Sequence, residues 1–210
     1  MLDYNIIKKS IYKMQKTIED NKKFLTQLDS KIGDGDHGLN MNKGFKAVVK
    51  KIDKLETDQI QVLLKNVAMA LISNVGGASG PLYGTAFLKA SSAIKGDNLE
   101  KDDLVNLFKA GIEGVKMRGK AEKGEKTMLD SLIPAYETFS KEIDNGSDLL
   151  TSLEKAVKSA NEGVEYTKTI IATKGRASYL GKRSLGHQDP GATSSYLLLK
   201  AFYETVKEEV

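Results

Sequence analysis

Apolar residues in this chain recur at intervals of three, four and seven, and that period limits what it can fold into. Ile7, Ile11, Met14, Ile18, Leu25 and Leu28 make one such stripe, the buried face of an amphipathic helix. Strict apolar–polar alternation, the mark of a half-buried strand, is nearly absent. The chain has three prolines, Pro81, Pro134 and Pro190. Pro81 and Pro190 stand just before helical patterns, where a first-turn proline gives up an amide that has no partner anyway. Pro134 lies inside a pattern, which predicts a kink or a break. Helices are expected near 4–27, 38–53, 59–74, 80–95, 101–117, 127–142, 148–171 and 190–207. The last contains TSSYLLL, which could open as a strand, but its Pro-Gly start and charged end favour a helix.

The links at 55–58, 96–100 and 145–147 are short, so neighbouring helices run antiparallel. Longer or glycine-rich connections fall at 29–37, 75–80 and 172–189, with 119–126 as a fourth candidate. No repeat, low-complexity tract or linker interrupts residues 1–210. The expected fold is therefore all-α, a single-domain antiparallel eight-helix bundle or barrel with its chemistry in the loops.

Composition narrows the function. Hydrophobic residues make up 40% of the chain, enough for a substantial core, and the net charge is only +4. The nearest basic run, Lys46 to Lys54, alternates at helical spacing with Val48, Val49 and Ile52 and reads as a solvated helix face. No nucleic-acid footprint is present. The absence of cysteine excludes disulfides and thiolate metal sites and fits a reducing compartment. The first residues, MLDYNIIKKSIYKMQ, carry charges through their apolar positions, unlike a signal peptide. No stretch reaches the roughly 18–20 apolar residues of a membrane span. A cytoplasmic protein without membrane contact is expected.

Residues 28–42, LDSKIGDGDHGLNMN, crowd Asp29, Asp34 and Asp36 together with only Lys31 beside them. A turn with a helix cap accounts for one or two of these acids. Three strain that account. An EF-hand loop fails on spacing and lacks the terminal glutamate. A hard divalent cation such as Mg²⁺ fits: it takes carboxylate oxygens and commonly shares them with substrate phosphates. Glycines at 33, 35 and 38 would let the backbone aim the three carboxylates at one point. A nucleoside diphosphate brings about three negative charges and the aspartates three more. Two Mg²⁺ leave about −2, which helix N-termini and basic side chains can balance. Lys174, Arg176 and Arg183 lie in one long loop, and arginine suits bidentate phosphate contacts. His37 offers either a phosphate contact or a surface or capping role, and His187 could simply anchor its loop.

Three helix starts share a grammar of small residues before or within the first turn: GDGDHG, VGGASG (75–80) and DPGATSSY (189–196). Glycine permits close backbone approach, and the free amides of a helix start make an anion site. The bland alternative is tight turns and close helix packing. Two near-matches to the Walker A pattern, at Gly119–Thr127 and Gly175–Lys182, fail on residue identity or spacing, and neither follows a predicted strand.

Taken together, KIGDGDHGLNMNKGF, GGASGPLYGTAF and RSLGHQDPGATSSYLLL resemble the nucleotide-binding subunits of bacterial dihydroxyacetone kinases and the C-terminal domain of single-chain dihydroxyacetone kinases. The resemblance spans nearly the whole chain. It implies an eight-helix barrel with the nucleotide at one end and two Mg²⁺ held by Asp29, Asp34 and Asp36. It implies nucleotide contacts from His37, Gly38, Leu39 and Asn40, from Ala78 and Ser79, from Gly119 and Met128, and from Arg176, Asp189, Pro190 and Gly191. The match is loosest around Gly119 and Met128. It also implies a partner subunit that carries dihydroxyacetone and, in one branch, ADP retained as a coenzyme and rephosphorylated by a phosphohistidine-bearing phosphotransferase-system subunit. In the other branch free ATP exchanges. The chain looks more like the first branch. Two alternatives stay open: the nucleotide-binding domain of another kinase system, such as fatty-acid kinase, and a module that binds a transcription regulator.

Overall fold

Eight α-helices form where the apolar period places them: α1 (Tyr4–Ile32), α2 (His37–Ile52), α3 (Ile60–Asn74), α4 (Ser79–Ser92), α5 (Lys101–Gly119), α6 (Leu129–Asp144), α7 (Leu149–Tyr166) and α8 (Pro190–Glu209). A computed structural model describes all 210 residues, and it contains no sheet, only an isolated bridge between Leu2 and Leu99. Each helix packs on its neighbours in sequence, and α8 returns to α1, so the eight close into a ring. Starts are fixed locally. Asp3, Asp148 and Asp189 cap α1, α7 and α8 by accepting the amides of Ile6, Thr151 and Ala192 at 2.9, 2.9 and 2.7 Å. Glu100 and Asp103 form a capping box on α5.

Large side chains fill the ring. Phe45, Phe139, Ile11, Leu63 and Leu71 are fully buried, and each contributes about 1.5–3 kcal/mol relative to exposure. A cavity of about 210 Å³ remains inside, lined by Met14, Phe87, Phe108, Leu199 and Phe202 among others.

In an up-and-down ring, connections that follow odd-numbered helices share one end. Those are 33–36, 75–78, 120–128 and 167–189, which hold the glycine-rich segments. The short links sit at the other end. Topology alone thus gathers the unusual loops.

Three expectations need correction, and one connection carries added detail. α1 does not stop near residue 27 but runs to Ile32, so Asp29 is a helical residue. α7 ends at Tyr166, not near 171, and passes into a 3₁₀ turn, Thr167–Thr169. The 172–189 connection contains a 3₁₀ segment, Arg176–Ser184, bent at Gly181. α6 runs unbroken through Pro134. The carbonyl that this proline leaves without its amide is that of Asp130. Gly163 of α7 sits directly against that carbonyl, closer than any side chain would permit. The two helices therefore approach closely where the proline leaves that carbonyl without its amide.

Candidate functional site

Asp29 projects from the last turn of α1, only 7% exposed. One of its oxygens, Oδ2, accepts the amides of Asp36 at 2.9 Å and His37 at 3.0 Å. It therefore caps α2 from a neighbouring helix, where Asp36, the residue before the helix, makes no side-chain cap of its own. A side chain at Gly33 would displace the Asp29 carboxylate from this position. Gly35 takes a left-handed turn (φ 75°). This folding brings one ligand oxygen from each of Asp29, Asp34 and Asp36 within 4.8 Å of one another. Arg176 from the long loop pairs with Asp34 at 2.9 Å. Three converging carboxylates with hard oxygen donors fit a divalent cation of the Mg²⁺ class.

These residues line one side of a cleft of about 200 Å³ at the loop end of the ring. The first residues of α2, α4 and α8, which are His37, Ser79 and Pro190, also line it, as does Met128 just before α6. All four even-numbered helices thus begin at the cleft, and their dipoles favour an anion there, although the amides of His37 and Ala192 are already taken by Asp29 and Asp189.

Beneath the helix starts runs a buried polar chain. His37 Nδ1 lies 3.0 Å from Ser79 Oγ, and its Nε2 lies 2.8 Å from Ser194 Oγ. Tyr83 OH lies 2.7 Å from Ser194 Oγ, 2.8 Å from Ser195 Oγ and 3.2 Å from the Gly191 carbonyl. The network fastens α2, α4 and α8 to one another. Burial pushes the His37 imidazole below its usual range, against the pull of the three aspartates. Burial also pushes the Tyr83 phenol up to about 12, and the Asp189 carboxyl up to about 7, against its capping bond with Ala192 and the nearby Lys126.

Of the residues singled out in the sequence, Asp29, Asp34, Asp36, His37, Ala78, Ser79, Met128, Arg176, Asp189, Pro190 and Gly191 meet at this cleft. Four do not line it. Gly38 is buried against α1, where a side chain would strike the Lys22 carbonyl and Thr26. Leu39 faces solvent, 53% exposed. Asn40 lies behind Gly76, close enough to touch a side chain added there. Gly119 packs near Leu82. Conversely, Leu82, Tyr83, Lys126, Thr127 and Lys174 line the cleft without having been assigned to it. Lys174 carried a signal, as a cation beside Arg176. Leu82 and Lys126 carried none beyond their neighbours.

With this geometry in place, the comparisons are specific. The DAK2 domain model matches residues 31–204. The ADP-binding subunit DhaL of the phosphoenolpyruvate-dependent dihydroxyacetone kinase of Escherichia coli is 46% identical over 186 residues, covering 88% of this chain and 89% of that subunit. The corresponding subunit of the phosphotransferase-system-dependent enzyme of Lactococcus lactis is 44% identical over 194 residues, covering 92% and 93%. In the crystal structure of the C. freundii dihydroxyacetone kinase, a region amounting to 33% of that longer chain superposes on 93% of this one with a TM-score of 0.73 and 25% identity. A second crystal structure of that kinase, in complex with AMP-PNP and Mg²⁺, superposes with a TM-score of 0.71. On this evidence the chain belongs to the DAK2 domain family.

Proposed function

We propose that this chain is the ADP-binding subunit of a phosphoenolpyruvate-dependent dihydroxyacetone kinase, holding the nucleotide in the loop-end cleft. The observation that supports it most is the convergence of Asp29, Asp34 and Asp36 beside four helix starts. Carboxylates alone would repel a diphosphate, and helix starts alone would not need carboxylates. A divalent cation reconciles the two.

In this account Asp29, Asp34 and Asp36 would hold Mg²⁺, two ions by the charge balance, which would neutralise charge on the transferring phosphoryl group. Asp29 is pre-set by its two amide bonds and does not reorganise. Ser79 and the amides at the starts of α2 and α4 that Asp29 does not take orient phosphate oxygens. Arg176, on the exposed rim, adds a cation suited to bidentate phosphate contact. Leu82, Met128 and Pro190 supply apolar lining suited to a flat heterocycle. No lining side chain has to act as a nucleophile, because the acceptor hydroxyl belongs to a sugar carried by a separate subunit. Return of the phosphoryl group to ADP falls to a phosphohistidine-bearing partner docking at the same mouth.

A nucleotide cycled in place has to stay bound. Freshly purified protein, denatured and analysed by mass spectrometry, is expected to release close to one equivalent of ADP. Empty protein that exchanges ATP rapidly would instead favour the ATP-dependent branch of the family.

A further inference from the structure

Lys126 is the one lysine buried to 1% exposure. Its backbone is left-handed (φ 62°), unusual for a residue with a side chain. Lysine has three N–H donors, and here three carbonyls receive them: Thr167, His187 at 2.6 Å and Ile170 at 3.3 Å. None is left for a phosphate, although the residue borders the cleft. No carboxylate lies within ion-pair distance of it. The nearest acids are committed elsewhere: Asp130 accepts the amides of Gly124 at 2.5 Å and Thr127 at 2.8 Å, and Asp189 caps α8.

We propose that Lys126 is a positioning residue for the nucleotide, a bolt that sets the α5–α6 loop against both ends of the connection from α7 into α8. The consequences reach the cleft by short steps. Thr167, whose carbonyl Lys126 binds, accepts the Asp189 amide on its hydroxyl at 3.0 Å. Asp189 opens the Pro190–Gly191 turn. Met128, two residues after Lys126, packs on Gly191 closely enough that a Cβ at 191 would lie 3.5 Å from it. Lys126 thus fixes the spacing between Met128 and Gly191, while the aspartates are positioned independently through Asp29. A strained conformation persists where its surroundings over-determine it, and the three carbonyls do so here.

The inference rests on the nucleotide reading of the cleft, and its test separates the two. Mg²⁺–pyrophosphate probes the carboxylates and the starts of α2 and α4, which Lys126 does not touch. Mg²⁺–ADP probes these together with the apolar lining. In Lys126→Met, ADP affinity is expected to fall about 30-fold while pyrophosphate affinity changes by no more than about threefold. Amide hydrogen exchange should quicken at 167–172 and 186–189 and stay unchanged in α1 to α4. Equal loss of both ligands would make Lys126 a phosphate ligand and overturn the proposal, as would no loss of either. Should Lys126→Met fail to fold, Thr167→Val carries the test, since it leaves Lys126 in place and cuts the next bond. A smaller but still ADP-selective loss supports the bolt, and unchanged ADP binding in that variant overturns it. A wild-type chain that binds neither probe would refute the nucleotide reading itself.

Discussion

Asp34→Asn is expected to weaken Mg²⁺-dependent ADP binding by at least about 100-fold, some 2.7 kcal/mol, while leaving the helical fold intact. The asymmetry follows from where Asp34 sits. Its only partner in the fold is Arg176, and the Arg176 side chain is 66% exposed. Such pairs contribute about 0–1 kcal/mol. Neutralising the carboxylate therefore costs the barrel little. Neutralising it removes a ligand that the amide cannot replace as an anion, and the phosphate charge loses part of its counter-ion. Calorimetry with ADP and a thermal melt, run on the same sample, check both halves. A large fall in melting temperature would place Asp34 in the fold, not in the site. Asp29→Asn is a poorer test because it also disturbs the α2 cap.

Gly38→Ala is expected to have the opposite profile. The resemblance makes Gly38 a nucleotide contact, yet the residue is buried and faces α1. A methyl group there would come within 3.0 Å of the Lys22 carbonyl, the Thr26 amide and the Thr26 hydroxyl. Backbone cannot retreat as a flexible side chain can, so α2 must shift off α1. Overpacking of this kind costs about 3 kcal/mol, which for a chain of this size lowers the melting temperature by roughly 6–12 °C. The shift would also move the His37 and Asp36 amides away from Asp29, so ADP binding falls as a consequence of the displaced helix. Thermal denaturation decides it: an unchanged melting temperature with lost binding would restore Gly38 as a direct ligand contact.

The sequence carried the architecture well because period and punctuation agree. Eight apolar stripes separated by short polar links leave an up-and-down ring as the economical packing, and the glycine-rich loops then fall at one end by parity. The carboxylate cluster was equally legible, since three acids with one lysine nearby demand a counter-charge. What was hidden depends on contacts between distant segments. Asp29 looked like a loop residue because the apolar stripe of α1 thins out after Leu28, and only the Asp36 and His37 amides explain its place in the last turn. Pro134 read as a kink or a break, yet α6 runs unbroken through it, packed there against Gly163 of α7. Lys126 sits in a segment, AEKGEKTM, rich in charge and poor in period, where nothing marks one lysine as buried. The contacts at Leu39 and Gly119 were implied by the resemblance alone; neither residue lines the cleft, and Leu39 faces solvent.

The central claim is that a divalent cation links the three aspartates to a diphosphate. Titrating ADP calorimetrically into metal-stripped protein, with and without Mg²⁺, tests it most directly. Tight binding that appears only with Mg²⁺, and weakens by at least about 100-fold in its absence, is the predicted result. ADP binding of equal strength in the presence of a chelator would contradict it.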